Sequence, residues 1–113
     1  MNVHTDLVLK ARVRLMSHNE RILGGEEGLW VYRILFAVSP RAHAYKLAYV
    51  LRELSETSPR VARLPEARRA LLEQARAASA RIPADAPAYQ RRMWEHSVAQ
   101  LREIERRLGQ APR

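Results

Sequence analysis

Residues 26–38 place the strongest constraint on what this chain can fold into. Glu26 and Glu27 open a run of Gly28-Leu29-Trp30-Val31-Tyr32-Arg33-Ile34-Leu35-Phe36-Ala37-Val38, and Ser39-Pro40 closes it. Apolar residues fall on nearly every side of that run, so the element it forms must be buried between neighbours. Read as a helix, it carries two acids in its first turn, where the macrodipole favours negative charge. Pro40 then sits where a following helix can start, because proline is tolerated at the first helical position, and Ser39 can cap the free amides. This is the pattern of one helix of a hairpin with another hairpin directly behind it.

A strand reading competes. Leu7, Leu9, Ala11, Val13 and Leu15 alternate with Lys10, Arg12 and Arg14, the period of a half-buried strand, and residues 29–38 are rich enough in aromatic and β-branched types to be its return partner. Helical spacing also fits, through Leu7/Val8, Ala11, Leu15, His18 and Ile22, with Asp6 as N-cap and Gly24-Gly25 as a stop. The long polar connection between the two segments suits a helical pair better than a tight strand hairpin.

Composition points the same way. Glycine is scarce, and Ala, Leu, Glu and Arg, which lose little side-chain freedom in a helix, are plentiful. The expectation is an all-α chain, a single helical domain over residues 1–113, with about five helices at 6–23, 26–38, 40–57, 66–82 and 87–108 packed as antiparallel hairpins. Leu47, Ala48, Leu51 and Leu54 form the stripe of the third. Ala67, Leu71, Ala75, Ala78 and Ile82 form that of the fourth, with Pro65 a candidate first position. Tyr89, Met93, Ser97, Leu101, Ile104 and Leu108 form that of the last, with Asp85 available as a cap. Ser58-Pro59 breaks the third helix, and residues 60–64 read as a linker.

No apolar run reaches the length that spans a bilayer, because Arg33 interrupts the longest. Residues 1–6 lack the basic and apolar regions of a signal peptide. With no cysteine there is neither a disulfide nor a thiolate metal site, and a cytoplasmic location is expected. The formal net charge of +8 is uneven. Residues 1–57 hold 8 Lys and Arg against 6 acids, and residues 58–113 hold 12 against 6. All the basic residues but Lys10 and Lys46 are Arg, whose fork pairs with carboxylate or phosphate, so an acidic partner is favoured.

An offset of 46 residues lays His43 on Tyr89, Leu47 on Met93 and Ala48 on Trp94, with Pro40 one place out of register with Pro87. Over residues 11–108 the chain resembles the tetratricopeptide-repeat family. The order Glu26-Glu27-Gly28-Leu29, Tyr32-Arg33, Leu35, Pro40 is similar to that family's second helix and closing proline. Pro40, Leu47-Ala48, Leu51 and Leu54-Ser55 resemble the next first helix, and Ala70-Leu71 with Ala77 its partner. The resemblance implies an adaptor whose first helices line a groove for a partner peptide. In that register the groove offers Arg12, Asn19, Tyr45, Arg52, Arg91 and Trp94: the arginines for acidic side chains or a terminal carboxylate, Tyr45 and Trp94 as apolar anchors. Two and a half units leave apolar end faces, which implies a homo-oligomer.

No catalytic constellation stands out. His4, His18, His43 and His96 are dispersed, without a metal-ligand spacing, so no cofactor and no metal are expected. His18 and His43 fall on apolar faces, and Trp30 reads as core. The pairs Arg68-Arg69, Arg91-Arg92 and Arg106-Arg107 read as solvated faces, or as an anion-attracting strip if one face presents them together. The expected function is a non-enzymatic adaptor for a protein or peptide partner. A basic helical nucleic-acid-binding protein is one alternative, and a small helical-bundle enzyme or ligand-binding accessory protein is another.

Overall fold

Proline and glycine set the borders of the elements. The computed structural model describes residues 3–16 and 22–110, and the helices are α1 (Val3–Met16), α2 (Gly25–Val38), α3 (Pro40–Thr57), α4 (Pro59–Ala62), α5 (Pro65–Ser79) and α6 (Ala88–Gln110). Pro40, Pro59 and Pro65 each occupy the first residue of a helix, where the missing N–H has no intrahelical partner to lose. The fold is all-α, with no strand among the described residues. Residues 7–15 and 29–38 are helical, which settles the choice between helix and strand for both segments.

The borders differ from expectation in several places. Asp6 lies inside α1, not at its cap, and pairs with Lys10 one turn on at 3.4 Å. Ile22 and Leu23, expected in the first helix, have no helical structure. Gly24-Gly25 does not stop that helix but opens α2: Gly25 has φ +67°, a left-handed conformation that only glycine adopts without strain. Ser39 makes no side-chain cap; its N–H instead donates to the Leu35 carbonyl at 2.9 Å. The stretch after Ser58-Pro59 forms the single turn α4, closed by Ala62 N–H on the Ser58 carbonyl at 2.8 Å. Asp85 precedes α6 without capping it; the Pro87 carbonyl takes the first bonds, from the N–H groups of Gln90 and Arg91.

Each long helix packs on the next in chain order, and α3 also touches α6. The result is an elongated array, 51 × 32 × 25 Å. Its main core joins Val31, Tyr32 and Leu35 of α2, Leu47, Val50, Leu51 and Leu54 of α3, and Ala75 and Ala78 of α5. A second cluster, Leu72 with Leu101 and Ile104, holds α5 against α6. Helix α5 therefore buries two sides, and Leu72 is fully buried although the sequence stripe ran through Leu71. Ser55, Ser79 and Ser97 are buried where helices come close, and each hydroxyl donates to a carbonyl one turn back, at 2.6, 2.7 and 2.8 Å. Buried hydroxyls satisfied locally cost little and keep the contact thin.

The chain passes close to helix backbone at Gly28. A Cβ there would stand 1.8 Å from the Leu23 carbonyl oxygen and 2.7 Å from its carbon. The chain before α2 lies directly on the helix, and Leu23 N–H donates to the buried Tyr32 hydroxyl at 2.9 Å. Removal from water holds the Tyr32 phenol above its ordinary range, although the Leu23 bond acts the other way. Tyr32 thus acts as a buried strut. Trp30, expected in the core, is 39% exposed instead, because the buried stripe of α2 runs through Gly28, Val31, Tyr32 and Leu35.

Candidate binding site

Five of the six residues expected to line one groove, Arg12, Tyr45, Arg52, Arg91 and Trp94, are described, and the structure divides them. Tyr45 and Arg52 do share a side of α3, and both face α6. The Tyr45 ring meets Tyr89 edge-on, with centroids 5.5 Å apart, and lies 6.2 Å from Tyr49. Burial, then the neighbouring Tyr89 and Tyr49, hold the Tyr45 phenol above its ordinary range. Arg52 donates to Gln100 Oε1 at 2.9 Å, and its Nη1 stands 3.4 Å from both Met93 Sδ and His96 Nδ1. Gln100 in turn donates to Glu56. These contacts form a polar and aromatic seam between α3 and α6, so Arg52 is already engaged within the chain.

Of the other four, Arg12, Arg91 and Trp94 are described, and none of the three joins that seam. On α6 the residues that meet α3 are Tyr89, Met93, His96 and Gln100, spaced by helical turns. Trp94 follows Met93 by one residue, a turn of about 100° around the axis, and is 45% exposed. Arg91 folds back on the α5–α6 connection, donating to the Ala86 carbonyl at 2.9 Å. Arg12 is exposed on α1. Asn19 lies outside the described residues, as does His18.

The basic pairs are also divided. Arg68 donates to the Ser55 carbonyl near the end of α3 at 2.9 Å. Arg69 reaches Glu73 and Glu105 at 3.6 and 3.7 Å. Arg106 and Arg107 both bind Glu103, whose carboxyl is held below its ordinary range mainly by the Arg106 hydrogen bond. Much of this positive charge is therefore locally matched. His43 packs against the core with Nδ1 buried and no hydrogen-bond partner among the described residues. No group of three or more His, Asp or Glu side chains placed to hold a metal ion occurs among the described residues.

The hollow that combines shape with chemistry lies elsewhere, between α2 and α5. Its volume is about 380 Å³. Leu47 and Leu51 of α3 make the floor, Phe36 one wall, and Ala77 and Ala78 the other. Small residues on α5 keep it open: at positions 77 and 78 a larger side chain would fill the space. Arg33, Gln74 and Arg81 stand at the rim, with no acid in the lining among the described residues. Arg33 Nη2 donates to Gln74 Oε1 at 2.6 Å, bridging the two helices. An apolar trough edged by guanidinium groups suits a ligand that is itself apolar with negative charge at its margin.

Sequence reasoning passed over this site, although one sign of it was visible. Arg33 is the only charge between Gly28 and Val38, and a charge in an otherwise apolar run marks a side that reaches solvent. No protein-family model matches the chain, and neither a curated protein nor a solved structure does. Among the described residues no helix is long and apolar enough to cross a membrane.

Proposed function

We propose that the protein is a non-enzymatic, tetratricopeptide-like adaptor that captures an acidic, apolar-faced segment of a partner protein in the α2–α5 cleft. The observation that carries this reading is the composition of the cleft: an apolar floor and walls with Arg33 and Arg81 at the rim and no acid among the described residues. Apolar burial supplies the attraction, and the guanidinium groups select for carboxylates at the edge. The net charge of +8 steers an acidic partner toward the whole molecule. Local pairing of Arg69, Arg106 and Arg107 with Glu73, Glu103 and Glu105 favours this reading over nucleic acid, which needs cations free to face phosphates.

The test uses a labelled amphipathic peptide with Leu and Phe on one face and Glu along its edges, with fluorescence anisotropy as the readout. Ala77 is exposed, so Ala77→Glu places a carboxylate in the trough without disturbing the core. It should weaken binding about tenfold or more, equivalent to about 1.4 kcal/mol. Arg81→Glu should act in the same direction. Equal binding by wild type and both variants would refute the site. Tighter binding of a random oligonucleotide than of the peptide, with steep salt dependence, would replace this reading with the nucleic-acid one.

A further inference from the structure

Helix α1 packs against α2 alone among the described elements, and its outer side is apolar. Leu9 is 60% and Val13 58% exposed, and both stand beside the exposed ring of Trp30. Together with Lys10 and Arg14 they line a shallow hollow of about 430 Å³. Large side chains gathered this way on a surface mark a contact site more often than chance exposure.

The charge around the hollow distinguishes between occupants. Lys10 is paired with Asp6 at 3.4 Å, and Arg14 binds Glu27 through both guanidinium nitrogens facing it. The cations at this surface are matched, so an anionic lipid surface or an acidic peptide finds little extra attraction here. Two copies of a chain with net charge +8 repel one another over most approaches, and a charge-balanced apolar surface is where that repulsion is weakest. Asp6 and Lys10 also lie on one edge of the strip, an arrangement that a two-fold axis makes self-complementary, acid of each copy toward base of the other. Helices α2, α3 and α5 are each covered by neighbours on two sides, and α1 against a second α1 would gain the same.

We infer that the Leu9–Val13–Trp30 surface binds a second copy of this chain, forming a two-fold dimer through α1. It is independent of the α2–α5 cleft, whose lining shares no residue with it. The experiment is light scattering on the full chain across a concentration series. The mass should rise toward double the 13.0 kDa of the monomer. Val13→Glu, a change at an exposed site, should remain monomeric with an unchanged circular dichroism spectrum. In a Trp94→Phe background, Trp30 emission should shift to shorter wavelength as the wild-type surface associates. Asp6→Lys and Lys10→Glu should each weaken association, and mixing the two should restore it. A wild type that stays monomeric at high concentration overturns the inference, as does a Val13→Glu variant that still dimerises. Trp30 emission that responds to anionic vesicles and not to protein concentration would assign the surface to lipid instead.

Discussion

Gly28→Ala reverses the usual effect of replacing a helical glycine. In an open helix that change gains about 1 kcal/mol, because alanine loses less backbone freedom. At position 28 the new Cβ would lie 1.8 Å from the Leu23 carbonyl oxygen, and the obstacle is backbone, not the end of a flexible side chain. The segment before α2 must lift. Forcing extra volume into a packed site costs about 1–3 kcal/mol. Lifting Leu23 also breaks its N–H bond to the Tyr32 hydroxyl, and a buried polar group left without a partner costs about 1–3 kcal/mol. After the helical gain is subtracted, the net loss is about 1–5 kcal/mol, a Tm drop of about 5–30 °C for a domain near this size. Urea unfolding followed by circular dichroism measures it. Gly109→Ala is the internal control, since its Cβ meets nothing within 4 Å and should be neutral or slightly stabilising. Gly25→Ala also has open space but is strained by φ +67°, and should cost about 1–2 kcal/mol. If Gly28→Ala matched or exceeded the wild type in stability, the close packing of Leu23 on α2 would be refuted.

Two further outcomes are expected. Leu72→Ala should cost about 2–5 kcal/mol, and more than Leu71→Ala, because Leu72 is fully buried between α5 and α6 while Leu71 is half-buried; the reverse order in urea midpoints would place the α5–α6 contact wrongly. Burial, then Lys46 and Arg12, hold the His43 imidazole below its ordinary range, so as pH falls below about 6.5 the unfolded chain takes up that proton before the folded one does. Stability contributed by neutral His43 is therefore present above that pH and lost below it, and His43→Leu should flatten the fall in urea midpoint between about pH 7 and pH 5; identical slopes in the two proteins would sink this account.

The helices were legible because their signals are local. Proline can begin a helix but not continue one, and acids favour its first turn, so α2 and α3 emerged at 25–38 and 40–57 against expected ranges of 26–38 and 40–57. The failures came where a distant contact overrode a local preference. Gly24-Gly25 has the chemistry of a helix stop and of a helix entry alike. The contact that selects entry is Leu23 packed on Gly28 and Tyr32, and nothing in the order of residues announces it. The same holds for Ile22, a residue in helical register that has no helical structure where the chain approaches α2.

Placing groove residues from the sequence meets a related obstacle. Assigning groove residues required the rotation of α6 about its own axis, and a step of one residue turns a side chain by about 100°. That step separates Met93, which meets Arg52, from Trp94, which does not. A cleft, in contrast, depends on three helices at once: Arg33 and Phe36 from one, Leu47 and Leu51 from the next, Ala77 and Ala78 from a third. Each of these has a plain local explanation as solvated, buried or small. Their shared use lies in the space left when α2 and α5 pack on α3 without packing on each other. The alanines that make α5 a good helix former are the same residues that leave the trough unfilled, so helix propensity and a candidate binding surface are set by one choice of side chain.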